Sequence, residues 1–286
     1  MGVNTFSNYL QTQGLAESSI KEHERNFLRF EKWVKENSKS TSSIHYTDLL
    51  EYVGHLKDRL QTVGTINIRL NTLRKYYEFL KEEKLVEVNP ARHLHIKGRI
   101  KKVVMGALST SDFDNIYAVY SKAKISYREA KHRSVHKRDI VILGLLLWQG
   151  VESRDLGRLE RNHINLQAGT IYIPSTSRSN SRELRLDSRQ VVVLQEYLNE
   201  TTTEKFFNCN PYDTIQAILK QVKLINPEIR NAAHIRASVI LEWLKRYNKR
   251  EVQYMAGHRH ISSIEYYQTQ ELTSLTEQIN KHHPFT

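Results

Sequence analysis

The sequence predicts a mainly α-helical protein built from two parts, and three observations lead to this prediction. Up to residue 88, apolar residues recur at the three- and four-residue spacing of amphipathic helices. Val88-Asn89-Pro90 then interrupts the pattern, because proline disfavours helix at the preceding residue. Beyond this break, the clearest strands are residues 169–174 and 182–186, with a polar turn between them. We expect a four-helix domain, a basic linker, and a mostly helical domain with a small antiparallel β-sheet, over residues 1–88, 89–106 and 107–286.

The four helices of the first part are read from their apolar positions. We predict them over residues 3–13, 17–36, 46–60 and 65–82. The last helix places Ile66, Leu70 and Tyr77 on one stripe, which indicates a buried face. Its other side is polar, and by itself that pattern is also what a solvated helix face would have.

The second part begins with a helix signal at residues 108–112, where Ser109 or Ser111 can act as the N-cap. A basic segment over residues 122–138 follows the first helix and precedes a strongly apolar one. The predicted helices of this part are residues 112–123, 138–149, 190–198, 213–222, 234–247 and 262–270.

Composition narrows the class of partner. The chain has 43 Lys and Arg against 31 Asp and Glu, a formal net charge of +12, which favours a polyanion such as nucleic acid. Its apolar stretches fall short of the roughly 18 residues that a membrane span requires, and its first residues are too polar for a signal peptide. The single cysteine, Cys209, excludes an intramolecular disulfide and fits a reducing cytoplasm.

The stretch from Arg236 to Tyr267 carries the residues that indicate chemistry. Gly257 is predicted to end a helix, because glycine enters the left-handed conformation cheaply. Arg236 offers a rigid fork of donors to phosphate oxygens, and His258 adds a further donor. A tyrosine hydroxyl such as that of Tyr267 can form a covalent phosphoryl intermediate. These residue types together favour attack by tyrosine on a phosphodiester.

Residues 256–267, AGHRHISSIEYY, resemble the C-terminal box of the tyrosine recombinases, the phage-integrase family. In that family a histidine precedes the nucleophilic tyrosine by nine residues, as His258 precedes Tyr267. Tyr266 lies eight residues from His258 and is therefore the weaker candidate nucleophile. Read without the upstream residues, the same stretch would also fit a helix pair with a core tyrosine.

The resemblance implies a reaction and a set of partners. One DNA strand is cut by tyrosine attack, leaving a 3′-phosphotyrosine, and a second strand's hydroxyl reverses the step without metal or other cofactor. Proteins of this kind act as homotetramers on paired sites in double-stranded DNA, in some cases with accessory DNA-bending proteins. They serve recombination and the integration of mobile genetic elements.

Three positions depart from the family pattern. Aligned on Gly150, the position of the first family arginine is Glu152, which leaves Arg154 as the nearest cation. The family's second box reads His-x-x-Arg, whereas residues 233–236 read AHIR, so that the histidine is displaced onto His234. Ser177 or Arg178 falls nearest the position of the family's hairpin lysine, with Arg182 across the turn. Arg178 would stabilise charge there rather than transfer a proton. We therefore add Arg154, Arg178 and His234 to the catalytic candidates.

The resemblance also implies which basic residues contact DNA. Small N-terminal domains of this family clamp DNA with a helix like residues 65–82, and a basic linker follows an Asn-Pro pair there as it does here. A linker with one sign of charge suits a chain lying along phosphates. The expected DNA contacts are Asn67, Arg69, Asn71, Arg74, Lys75, Lys97, Arg99, Lys101 and Lys102, with Lys245 and Arg246 in the second part.

We conclude from the sequence that the chain is a site-specific DNA recombinase of the tyrosine type. A DNA-binding relative that recognises a site without cutting it is the alternative, because three family positions are altered. A basic helical regulator is a third reading, which requires the resemblance around Tyr267 to be accidental. Covalent capture of DNA separates the first reading from the other two.

Overall fold

The chain divides into two units, each with its own hydrophobic core. A computed structural model describes residues 3–59, 62–98, 106–122, 130–201 and 203–267, and the structural statements below concern these residues. The units are Met1–Lys101 and Lys102–Thr286.

Four helices build the first unit, as predicted. They are α1 (Val3–Thr12), α2 (Glu17–Glu36), α3 (Tyr46–Asp58) and α4 (Val63–Glu82). Helix α4 begins two residues earlier than predicted, because the side chain of Thr62 accepts a hydrogen bond from the backbone N–H of Thr65 and caps the helix.

The core of the first unit is rich in aromatic rings. Phe27 and Tyr76 lie 4.2 Å apart between ring centroids, and Phe6 meets Tyr76 edge-on at 5.3 Å. Leu70 and Tyr77 of α4 are fully buried, so the predicted apolar stripe faces inward. The polar side of α4 is thereby turned away from the core.

The second unit is mostly helical around a small sheet, as predicted. Its helices are α5 (Thr110–Lys122), α6 (Ala130–Trp148), α7 (Ser153–Leu156), α8 (Ser188–Glu200), α9 (Pro211–Ile225), α10 (Ala232–Leu244) and α11 (Lys249–Ala256). Its strands are β1 (Ile164–Asn165), β2 (Thr170–Ile173) and β3 (Arg182–Arg185). They form an antiparallel sheet in the order β1-β2-β3.

The register of the sheet turns one arginine inward. Ile171 pairs with Leu184, and Ile173 pairs with Arg182, so these four side chains share the inner face. Arg182 is 1% exposed and is the largest fully buried side chain of the described residues. A charge at this depth requires a partner.

Helix α6 begins at Ala130, two turns before the predicted start at residue 138. Residues 130–138 are strongly basic and lack apolar periodicity, so the sequence pattern did not separate them from a loop. Contacts with α8 support this end of the helix, since Lys137 pairs with Glu196 at 2.9 Å and with Glu200 at 2.6 Å.

A small apolar cluster lies under the end of the described chain. Ile240 of α10, Val252 and Ala256 of α11, and Ile264 are buried against one another. Residues 262–267 are helical, and Tyr267 packs at the edge of this cluster. The cluster fixes the segment that carries Tyr267 against the helices that carry Arg236 and His258.

Candidate active site

Two capped helices deliver the candidate catalytic residues. The side chain of Asn231 caps α10 by accepting a hydrogen bond from the His234 N–H at 2.9 Å. Asn248 caps α11, which ends at Gly257 with a φ of 68° as predicted. Arg236 therefore sits in the second turn of α10, and His258 follows directly after α11.

Three acceptors hold the guanidinium of Arg236, which is 7% exposed. Its Nη1 donates to the Gly150 carbonyl, and its Nη2 donates to the Ala256 carbonyl at 2.6 Å. Its Nε pairs with Oε1 of Glu152 at 3.0 Å. The carbonyls belong to fixed backbone, whereas the Glu152 side chain is 53% exposed. Glu152 is the acceptor that an incoming phosphate can displace most easily.

His258 is an uncharged donor or acceptor at neutral pH. Burial, followed by the charges of Arg236 and Arg182, lowers the pKa of its ring to about 4. Its Nδ1 is buried and has no hydrogen-bond partner in the described part of the chain. The backbone of His258 is held by its N–H, which donates to the Gln253 carbonyl at 3.0 Å. The ring nitrogen Nδ1 therefore remains able to bind a ligand.

Tyr267 lies face to face with His258. Their ring centroids are 6.1 Å apart, and their planes differ by 8°. Burial raises the pKa of the Tyr267 phenol, while the charge of Arg236 acts in the opposite direction. Tyr266 is 38% exposed and meets Tyr267 edge-on at 6.0 Å. Of the two tyrosines, Tyr267 is thus the one stacked on the candidate histidine.

The structure adds one pair of charges that the sequence pattern did not indicate. Nη2 of Arg182 donates to Oδ2 of Asp155 at 2.7 Å, with both side chains almost completely buried. The same carboxylate oxygen accepts the Glu152 N–H at 2.9 Å and so begins α7. The sequence contains a pattern that could have indicated this pair. Side chains alternate between the two faces of a strand, so Arg182 shares the buried face with Leu184, and a charge is stable there only when it is paired.

Three other predicted catalytic residues are His234, Arg154 and Arg178. His234 is buried, but its Nε2 is 2.9 Å from the Gly106 carbonyl oxygen and its Nδ1 accepts the Arg230 N–H at 3.4 Å, so both ring nitrogens are engaged elsewhere. Arg154 is exposed on α7, and Arg178 is exposed on the turn between β2 and β3. The displacement of the histidine by one residue along a helix rotates it by about 100°, which explains the placement of His234.

The polar face of α4 contains the predicted DNA contacts of the first unit. Arg69, Asn71, Arg74 and Lys75 are all partly exposed. Asn67 also ties α4 to residue 96: its side-chain amide donates to the Ile96 carbonyl at 2.9 Å and accepts the Ile96 N–H at 3.0 Å. Its amide keeps a second N–H donor and a second acceptor lone pair, so the contact of Asn67 with DNA stays a prediction.

A basic cavity of about 230 Å³ lies beside this face. Arg29, Arg59 and Arg69 surround Tyr52, whose hydroxyl is buried without a hydrogen-bond partner among the described residues. Burial raises the pKa of Tyr52, and the three arginines act in the opposite direction, Arg69 most strongly. Convergent guanidinium groups of this kind favour an anion such as a phosphate. The other residues of the cavity are Lys32, Trp33, Glu36, His55 and Leu56.

The remaining predicted DNA contacts are scattered. Lys97, Lys245 and Arg246 are exposed, and Lys245 pairs with Glu242 at 2.5 Å. Arg246 donates to the Thr110 hydroxyl at 3.4 Å. Three further residues predicted to bind DNA lie outside the described residues, namely Arg99, Lys101 and Lys102.

The described ranges lack two other kinds of feature. Within them, the His, Cys, Asp and Glu side chains form no group of three or more that could hold a metal ion. None of the helices in those ranges combines the length and apolar character that a membrane crossing requires.

Comparison with known proteins finds similar sequences. Residues 3–84 match the family "Phage integrase, N-terminal SAM-like domain". Over nearly its whole length, 99%, the chain is 24% identical to the tyrosine recombinase XerC of Oceanobacillus iheyensis, of which it covers 95%.

Solved structures share the fold. An integrase of the Tn1549 transposon in complex with transposon right-end DNA is 13% identical and superposes with a TM-score of 0.69, with 99% of each chain covered. A lambda integrase dimer bound to a COC′ core site is 11% identical, with a TM-score of 0.70 over 93% of this chain and 75% of that one. At these identities the likeness concerns the fold.

Proposed function

We propose that this chain, a divergent member of the tyrosine recombinase family, cuts and rejoins double-stranded DNA at specific sites through a covalent 3′-phosphotyrosine intermediate. The stacking of Tyr267 on His258, with the Arg236 charge acting on both residues, is the observation that carries this proposal. It brings a nucleophile, a neutral imidazole and a phosphate-binding guanidinium to one place.

The reaction uses these groups as follows. The Tyr267 oxygen bonds to phosphorus and loses its proton, while the bond from phosphorus to the 5′-oxygen breaks and that oxygen gains a proton. Arg236 binds the nonbridging oxygens, whose negative charge grows in the transition state. His258 donates a hydrogen bond to the same phosphoryl group. The phosphodiester energy is retained in the protein–DNA bond, so a second strand's hydroxyl can reverse the step.

The phenol of Tyr267 needs help to react at neutral pH. Burial raises its pKa, so it stays protonated in the absence of DNA. The positive charge of Arg236 favours the phenolate and therefore lowers the cost of losing the proton as the bond to phosphorus forms. The negative charge of Glu152 acts in the opposite direction and weakens this effect of Arg236 on the phenol.

The first unit is proposed to grip the duplex. The cavity around Tyr52 supplies a place for one backbone phosphate, since Arg29, Arg59 and Arg69 converge on it. The partly exposed cations of α4 extend that surface, and exposed Lys97 is proposed to bind DNA as well. Contacts of this kind fix the register of a protein on DNA and depend strongly on salt.

Assembly and location follow from the reaction. Exchange of strands between two sites needs four nucleophiles, so we propose a homotetramer on paired sites in the cytoplasm, with accessory DNA-bending proteins where the sites must be brought together. The solved relatives bound to DNA support the nucleic-acid part of this proposal.

Covalent capture tests the proposal. Duplexes that the protein binds would first be selected from a random pool, then nicked near the centre so that religation fails. Incubation and a denaturing gel would reveal a protein–DNA adduct. We expect Tyr267→Phe to remove the adduct and to leave binding within about threefold of the wild type, because the hydroxyl is the nucleophile.

Tyr266→Phe is the matched control, since it deletes the same hydroxyl one residue away. It should retain the adduct. Loss of the adduct in Tyr266→Phe alone would mean that the nucleophile has been assigned to the wrong residue. Selected duplexes that the wild type binds but never captures would refute the cutting activity and favour a protein that only recognises a site.

A further inference from the structure

The charges around Arg236 leave the site short of one cation. Position 152, where the resemblance places a family arginine, is a glutamate that pairs with Arg236. Arg236 and Glu152 therefore cancel, and a bound phosphodiester would add a further negative charge. Charge that goes uncompensated in a partly buried site is costly, so another cation has to act there.

Arg182 meets this requirement from the sheet. Its guanidinium is buried at the start of β3, where the strand register turns it inward. Asp155 accepts a hydrogen bond from Nη2, while Nε is buried without a partner among the described residues. A buried donor without an acceptor is rare in native proteins, and an anion arriving beside it would remove the deficit.

The guanidinium also lies directly under the turn that carries His258. A Cβ atom at Gly257 would come within 2.7 Å of Nη1 and 3.1 Å of Cδ of Arg182, so glycine is required for this close approach as well as for its φ of 68°. The turn between β2 and β3 contacts Gly257 as well, since the Asn180 N–H donates to the Gly257 carbonyl at 2.9 Å. Arg182 thus fills the space between the sheet and the His258 turn.

The field of Arg182 reaches the reacting groups. His258 and its stacked partner Tyr267 are influenced by Arg236 from α10, Arg182 from β3, Glu152 from the turn before α7, and Tyr266 beside Tyr267. The charges of Arg236 and Arg182 both lower the pKa of His258, and the charge of Arg236 also lowers the pKa of Arg182. Like charges that act on the same group favour an anion between or beside them.

We infer that Arg182 is a positioning residue of the recombinase site, which supplies from β3 the positive charge that residue 152 does not supply and holds the Gly257–His258 turn in place. This inference rests on the proposed function. Arg182 acts through Asp155, which fixes its guanidinium, and through His258 and Arg236, which bind the phosphate. The site therefore keeps two arginines, one of them delivered by a different element.

Two variants separate the charge of Arg182 from the ion pair it makes. Asp155→Asn breaks the pair but keeps the cation, and its amide oxygen can still accept the Glu152 N–H. The double variant Asp155→Asn/Arg182→Met removes both charges, so it leaves no unpaired buried ion that would unfold the protein. Both variants lose the ion pair, and they differ only in the cation.

Asp155→Asn should capture nicked DNA more slowly than the wild type, because the guanidinium loses the carboxylate that fixes it, and it serves as the reference for the other variants. Relative to Asp155→Asn, the double variant should lose a further roughly 10²- to 10³-fold in capture rate, as removal of a preorganised charge stabiliser typically does, with DNA binding unchanged within about threefold. A third variant, Asp155→Asn/Arg182→Lys, should recover most of that rate, because lysine returns the charge. Thermal melts would verify that each variant is folded.

A second readout does not depend on cutting. An NMR titration of the His258 ring should give a higher pKa in the double variant than in Asp155→Asn, since a neighbouring positive charge has been removed. Equal pKa values and equal capture rates in the folded variants would overturn the inference. Absence of capture in the wild type would refute the proposed function, while the titration would still decide whether Arg182 acts on His258.

Discussion

Replacing Glu152 by glutamine should make the site a better phosphate binder. In the structure, Oε1 of Glu152 lies 3.0 Å from Nε of Arg236, on the side of the guanidinium that the two backbone carbonyls leave open. The carboxylate thus occupies the place and carries the charge that a phosphate oxygen would have. Glu152→Gln keeps the shape of the side chain and removes the charge.

The size of the effect follows from the exposure of the pair. At 3.0 Å, two unit charges attract by about 5 to 6 kcal/mol at an effective dielectric constant of about 20. Solvent reduces this strongly, because the Glu152 side chain is 53% exposed, and exposed pairs contribute only about 0–1 kcal/mol. Since Arg236 is buried, we take about 1–2 kcal/mol, which corresponds to roughly 5- to 30-fold in capture rate.

The assay compares capture of nicked duplex by wild type and Glu152→Gln at equal occupancy of the DNA. Glu160→Gln is the matched control, because it deletes one exposed negative charge from a turn outside the candidate site. Faster capture is expected for Glu152→Gln alone. A loss of capture in Glu152→Gln would refute the reasoning, since it would mean that the carboxylate orients Arg236 for the reaction.

Two further predictions concern DNA binding and pH. Replacing Arg59 and Arg69 by glutamine should reduce the slope of log affinity against log salt by about 0.9 for each phosphate that the protein no longer neutralises. Neutralising Lys97, Arg99, Lys101 and Lys102 should have the same kind of effect. The control is Lys21→Gln, which removes a cation from the exposed pair with Glu17 and should leave the slope unchanged. Because burial lowers the pKa of His258 to about 4 from 6.5, the folded protein binds fewer protons than the unfolded chain between these values. As the pH drops from 6.5 to about 4, the free energy of unfolding of the wild type should therefore fall by at most about 3 kcal/mol more than that of His258→Asn. Denaturant titration at each pH measures this difference.

Local patterns in the sequence predicted most of the elements. The helices of the first unit follow from apolar spacing, and the end of α11 follows from Gly257, because both signals lie within a few residues. The start of α6 was missed for the same physical reason. Lys137 pairs with the distant residues Glu196 and Glu200, and periodicity along the chain does not register such ion pairs.

The candidate site was predictable where spacing along the chain decides geometry. The step of nine positions from His258 to Tyr267 brings the two rings into a stacked arrangement. The burial of Arg182 and its pairing with Asp155 were not predicted, because they arise from a partner 27 residues away and from the strand register. The bond between Asn67 and Ile96 was not predicted either, because it joins residues 29 positions apart. Pairings of this range are set by the tertiary fold.

The anchoring of Arg236 explains how the site can tolerate the change at position 152. Two of its three acceptors are the carbonyls of Gly150 and Ala256, which flank or belong to turns where a glycine has a positive φ, 54° at Gly150 and 68° at Gly257. Carbonyl positions set by such turns do not depend on neighbouring side chains. A side chain at Gly150 would also press on Val239, which packs 3.2 Å from where its Cβ would lie. Orientation of Arg236 is thus a property of the backbone, whereas the charge around it is set by side chains at positions 152, 155 and 182.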